Sequence, residues 1–133
     1  MANGTIAFDT LTTSDQVKSG TEKSLDTSYI YNGSAKFWIS RDSKTDSTHD
    51  SFNFSSVADN GTGDHTFTFT NAMSAITYAL ATHGQEDTGG GGRTVCGKGT
   101  PTTTTRQINS NIASSGAVDD FTYTDFLIMG DLA

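Results

Sequence analysis

Asp50-Ser51-Phe52-Asn53-Phe54-Ser55-Ser56-Val57-Ala58-Asp59-Asn60-Gly61-Thr62-Gly63-Asp64-His65-Thr66-Phe67-Thr68-Phe69-Thr70 decides the fold class of this chain. Two alternating runs, residues 51–57 and 65–70, flank a polar Gly-containing connection. In the first run Phe52, Phe54 and Ser56 share a phase; in the second His65, Phe67 and Phe69 do. Period-2 alternation of aromatics with Ser, Thr and Asn is the pattern of a strand buried on one side and wet on the other. Asn60-Gly61 is a strong short-range turn signal, because both residue types tolerate a positive φ. The expectation is a hairpin with an aromatic inner face, His65 standing at its margin.

Working outward, the remaining segments also read as strands. Tyr29-Ile30-Tyr31 precedes an Asn32-Gly33 turn, and a strand is expected from Ala35 to Arg41. Residues 75–82 alternate Ile76, Tyr78 and Leu80 against small residues, so a strand is preferred although Ala and Leu also favour helices. Residues 93–97, the Thr-rich 102–108 and 121–129 complete the set, with a turn at 110–116. Six to eight short strands with hardly any helix make an antiparallel β-sandwich, jelly-roll-like in type. No heptad or longer internal repeat is present to build a shaft.

Residues 1–28 differ from residues 29–133. Ile6, Phe8 and Leu11 are isolated apolar points among Thr, Ser and Asp. Such a stretch has too little apolar surface for its own core, and it reads as an extended arm, with those three residues as anchors that add to a sheet edge or groove. Two other stretches read as polar, exposed tips. One is residues 41–49, represented by Arg41, Lys44 and His49. The other is the Gly-rich region from Gly84, represented by Gln85, Glu86, Asp87 and Arg93.

The 133 residues fit one domain of common size. Only 33% are apolar, and Ser and Thr exceed a quarter of the chain. A polar chain of this length offsets its conformational entropy poorly alone. Thirteen aromatics in alternating runs argue against disorder, so a core completed by other copies is expected. Phe37-Trp38-Ile39, apolar in both strand phases, is the candidate interface, one set facing the subunit core and the other a neighbour. A sugar-stacking Trp38 is the competing reading.

A net charge of −7 with eight scattered basic residues speaks against a nucleic-acid surface. There is no 18-residue apolar run for a membrane span and no signal-peptide pattern. Cys96, the one cysteine, has no intrachain partner and reads as a buried or idle thiol, a bridge between copies being the alternative. His49 with Asp46 and Asp50, and His65 with Asp64, lack metal-ligand spacing. The Asp59-to-Asp64 turn lacks the EF-hand pattern, and Gly97-Lys98-Gly99-Thr100 lacks that of a phosphate loop. Neither a nucleophile elbow nor a legible carboxylate pair is present. The expectation is therefore no catalytic residue, no metal and no cofactor.

Lys36-Phe37-Trp38-Ile39, the run from Asp50 to Asp64, the closing Gly130-Asp131-Leu132-Ala133 and the opening Met1-Ala2-Asn3-Gly4-Thr5-Ile6 resemble a domain of short fibre proteins and fibre ends of tailed bacteriophages, many of aquatic hosts. The likeness is dense over about residues 29–82 and thin from Gly84 to Asp125. It implies a structural virion protein assembled in the host cytoplasm, a homotrimeric tail fibre or spike that contributes to host attachment. Its implied partners are copies of itself, other phage structural proteins and a host-surface glycan. A capsid decoration or head-fibre protein without a receptor role is the alternative, and a glycan-degrading spike enzyme a third.

Overall fold

The computed structural model of the chain describes residues 10–12, 24–87 and 92–133. It divides into two compact units, Met1–Ser34 and Ala35–Ala133. In the first, β1 (Thr10–Thr12) pairs antiparallel with β2 (Ser24–Asp26), Leu11 standing opposite Leu25. A short helix, α1 (Thr27–Gly33), follows. The strand expected at 29–31 is thus a helix, in which the Ser34 amide donates to the Ile30 carbonyl at 3.2 Å. Asn32-Gly33, expected as a turn, instead forms the end of this helix. Ile6 and Phe8 lie outside the described residues.

The second unit is an all-β sandwich of two four-stranded antiparallel sheets. Sheet I has the order β4-β3-β10-β7, built from β3 (Ala35–Asp42), β4 (Ser47–Phe52), β7 (Ala79–Gln85) and β10 (Tyr123–Met129). Sheet II has the order β5-β6-β9-β8, built from β5 (Phe54–Gly61), β6 (Asp64–Phe69), β8 (Arg93–Lys98) and β9 (Thr105–Ile112). Period-2 burial follows the alternation of β6, in which His65, Phe67 and Phe69 face inward. It recurs in β3 with Phe37, Ile39 and Arg41, and in β10 with Thr124, Phe126 and Ile128.

The core is an aromatic layer shared by both sheets. Phe37 and Phe126 of sheet I stack with centroids 4.9 Å apart, and Phe126 meets Phe67 of sheet II edge-on at 4.8 Å. Phe69 packs on Phe37 at 5.0 Å. Rings in these arrangements add to the stabilisation that burial alone supplies. Met73, Val95, Ile108, Phe121 and Ile128 fill the remainder. Phe37 and Ile39, 0% and 2% exposed, belong to this core. The interface expected of them is corrected accordingly, because the subunit's own second sheet already covers them.

The quoted stretch first departs from its expected form at Asn53. Phe52 and Phe54 do not share a face, because the chain leaves sheet I and joins sheet II between them. Asn53 makes the crossing with φ = 59°, a left-handed conformation in which Asn is several-fold enriched. Its side chain fixes the corner. The Asn53 amide donates to the Lys36 carbonyl at 2.9 Å and the Asn71 carbonyl at 3.1 Å, while its Oδ1 accepts from the Asn71 backbone N–H at 2.7 Å. Phe52 therefore stands on the outer face of sheet I, 49% exposed, and Phe54 is half-buried against the core.

The β5–β6 turn is also displaced from its expected place. Gly61 pairs with Asp64, so Thr62 and Gly63 form the loop. The positive φ values fall on Gly61 (124°) and Gly63 (66°), not on Asn60. Asn60 contributes its side chain instead, donating to Thr66 Oγ1 at 2.9 Å and Asp64 Oδ1 at 3.2 Å. Gly63 is enclosed as well as left-handed, since a Cβ there would lie 2.6 Å from the Ser110 carbonyl oxygen.

Two further boundaries move, one for a steric reason and one because of a local hydrogen bond. β7 runs Ala79–Gln85, so Gly84 is a strand residue and not the start of a loop. Its missing side chain leaves room for the Phe121 ring and Val95, which a Cβ would meet at 2.9–3.2 Å. β9 starts at Thr105 because Thr102 folds the preceding threonines into a turn, its Oγ1 accepting from the Thr105 amide at 2.8 Å.

Candidate functional site

The two sheets present unlike outer faces, and the groove lies on sheet I. Antiparallel register places Phe52, Trp38, Leu127 and Ala81 in one row across its four strands. The adjacent row is Asp50, Ser40, Asp125 and His83. An apolar row thus lies beside a polar one. Between β3, β10 and β7 they border a groove of about 410 Å³, with Trp38, Ser40, Ala81, His83, Asp125 and Leu127 in its lining. The small Ser40 and Ala81 leave the space, while the half-buried Trp38 and Leu127 supply its apolar wall. His83 Nδ1 lies 3.2 Å from Asp125 Oδ2, and Asp125 Oδ1 is buried without a hydrogen-bond partner. Of the three expected interface residues, Trp38 alone faces outward.

A second concentration of polar groups lies inside one end of the sandwich. Arg41, His65, Ser43, Ser110 and Thr124 are each less than 8% exposed. Arg41 was expected as an exposed tip; it is the last inward-facing residue of β3 and is 2% exposed. Its guanidinium is paired with Asp46 and donates to Thr48 Oγ1 at 3.3 Å. Burial lowers its pKa from the usual arginine value. Ser43 donates to Thr124 Oγ1 at 3.0 Å and its backbone N–H to the Phe121 carbonyl at 2.9 Å. The expected loop at 41–49 is therefore a short turn between strands, tied to the body.

His65 Nε2 stands 3.9 Å from both Asp59 Oδ1 and Asp120 Oδ1. Burial pushes its pKa below the ordinary histidine value; Asp120 and Asp59 oppose the shift and Arg41 adds to it. Its neutral form is favoured. The Asp59-to-Asp64 carboxylates are occupied locally. Asp59 accepts from the Gly61 amide at 2.8 Å, and Asp64 takes the Lys98 ammonium at 2.5 Å and the Gln107 amide at 2.7 Å. Among the described residues no three His, Cys, Asp or Glu side chains are placed to hold one metal ion.

The remaining expected tips divide. Lys44, His49, Gln85 and Asp87 are exposed. Glu86 is not: its side chain is 5% exposed and paired with Lys44, joining the 43–46 turn to the segment after β7. Arg93 is half-buried, its guanidinium 5.4 Å from the Phe121 ring centroid, within cation–π range. Their charge marked them as surface residues, whereas each is drawn inward by a specific partner. Cys96, expected to be buried or idle, is an exposed free thiol.

No family model, no curated protein and no solved structure matches the chain. Among the described residues no helix is long and apolar enough to cross a membrane.

Proposed function

We propose that this protein is a structural component of a tailed-phage virion, a homotrimeric fibre or spike whose body meets the host surface. The observation that carries the reading is where described residues of the fibre resemblance sit: several of them make joints of the sandwich. Asn53, near the start of the longest motif, bonds to the Lys36 carbonyl in another. Residues 130–133 of the closing motif bind the connection between β6 and β7. The Ala133 amide donates to the Ala72 carbonyl at 2.9 Å, the Ser74 amide donates to Asp131 at 2.8 Å, and Leu132 bridges to Met73. A likeness made of such joints marks a shared scaffold, and the specificity of such scaffolds resides in the positions between them.

In this reading residues 1–34 hold the copies together and attach them to the particle, while the Ala35–Ala133 body is presented outward. Deletion of residues 1–34 tests it: a folded monomeric body that no longer joins the virion is expected. A deleted protein that still incorporates at normal copy number refutes the anchoring. Quantitative gels of purified virions separate the alternatives, a few dozen copies or fewer supporting a tail fibre and hundreds a capsid decoration.

A further inference from the structure

The groove on sheet I is an open, mainly apolar depression with polar groups along one side. Its apolar wall comes from Trp38 and Leu127, which are opposite each other in register, with Phe52 extending the row. Its polar side comes from the next row, where the Asp125–His83 pair lies across from Ser40. A pyranose ring has the same division, a face of C–H bonds and a rim of hydroxyls. An indole stacks on the C–H face, where polarised hydrogens meet the negative face of the ring. A carboxylate and an imidazole accept or donate at the rim, and bonds to an ionised carboxylate are the stronger kind. The volume, about 410 Å³, falls among those of small-ligand clefts.

We infer that the Trp38 groove binds a neutral pyranose unit of a glycan, and this rests on reading the body as the surface-binding part of a virion protein. Charge selects the neutral class. Asp125 is in the lining and Asp50 is in the same polar row, on a chain of net charge −7, so uronic or other acidic sugars are repelled. The same row disfavours a flat apolar protein partner, including a second copy. Such a partner would take Asp50 and the Asp125–His83 pair out of water.

Trp38 is the single tryptophan, so its emission reports on the groove alone. The test titrates the full-length protein with methyl pyranosides of glucose, galactose, mannose, rhamnose and N-acetylglucosamine, with methyl glucuronide as the acidic control. A saturable change in Trp38 emission with at least one neutral sugar, none with the glucuronide, and unchanged mass by light scattering is expected. Asp125→Asn should keep the fold by circular dichroism and weaken that binding about tenfold, the scale of a lost charge-assisted hydrogen bond. Silence toward every neutral sugar overturns the inference, as does emission that changes with protein concentration instead of sugar, which assigns the face to self-association. Adsorption of virions separates the two levels. If the protein is in the particle and antibody against its body blocks adsorption while the groove ignores all sugars, the sugar site fails and the fibre reading stands. If sugar binds but the protein is absent from virions, the site stands and the fibre reading fails.

Discussion

The inner faces of the two sheets are alike, and their outer faces are not. Inside, each sheet contributes phenylalanines to one interlocked layer: Phe37 and Phe126 from sheet I, Phe67 and Phe69 from sheet II. Outside, sheet II presents Ser56, Thr66, Thr68, Gln107 and Asn109, phased opposite to its buried residues. Three of them are held by polar neighbours: Asn60 donates to Thr66, Gln107 to Asp64, and Asn109 to Asn111 at 2.8 Å. Sheet I instead presents Phe52, Trp38 and Leu127 next to Asp125 and His83. A face closed by its own hydrogen bonds has little left to offer a partner. A face with an aromatic wall beside the exposed His83 and its Asp125 partner does.

The likeness of the inner faces sets the largest expected effect. Phe37→Ala and Phe67→Ala remove one ring from each side of the same layer, and both should cost roughly 3–5 kcal/mol in denaturant unfolding. Near-equal losses confirm a shared core. If Phe37→Ala proves mild while Phe67→Ala unfolds the protein, the two inner faces are not equivalent and the comparison fails at its base.

A second break is local to sheet II. Gly63 and Gly116 both have positive φ, 66° and 69°, but only Gly63 is crowded, by Ser110 and Asp119 backbone atoms; Gly116 has nothing within 4 Å of a Cβ. Gly116→Ala therefore bears only the backbone strain, on the order of 1 kcal/mol. Gly63→Ala adds the clash and should cost at least twice that by thermal melt. Equal costs would mean that the hairpin gives way freely and does not fix the Asp59–Asp64 end.

Legibility followed how far each residue's type agreed with its place. The alternation of β6 translates directly into burial because that strand is uninterrupted, so His65, Phe67 and Phe69 were readable. The same alternation across Phe52-Asn53-Phe54 misled, since a left-handed residue in a period-2 run leaves the letters unchanged while turning the chain onto another sheet. Arg41 and Glu86 were placed at the surface because charge usually marks exposure; their burial depends on Asp46, Thr48 and Lys44, partners that only the fold brings near. For Trp38 the two-sidedness of β3 was plain, but which side faced out, and that His83 and Asp125 stood beside it, needed strand order.

Protonation sharpens the contrast between the inner and outer faces of sheet II. His65 has a folded pKa lowered by burial, so in the folded state it refuses a proton that the unfolded chain accepts below about 6.5. Its stabilising term is present above that pH and is lost as pH falls toward the folded pKa. Asp64 is held below the usual aspartate value chiefly by Lys98, with Gln107 and Asn60 helping, so its term persists until pH falls through 3.8 and below. Stability should thus decline in two steps on acidification. His65→Gln should remove the first while leaving the second; a variant that keeps the slope near pH 6 would assign it to another group.

The smallest expected effect falls on the outer face itself. Trp38→Thr with Leu127→Thr gives sheet I the Thr-rich character of sheet II while leaving every inward residue in place. Cross-strand pairs on an open face are worth about 0.2–1 kcal/mol each, and Thr keeps a strong strand preference, so the melt should move little, by roughly 1–2 kcal/mol. What should change is binding: with the apolar wall gone, the groove loses its platform though the body stays folded. Near-native stability with lost ligand capture or adsorption identifies the face as a surface kept apolar for a partner. A loss as large as that of Phe37→Ala would instead make Trp38 part of the fold's own support, and the difference between the two outer faces would then be one of packing and not of use.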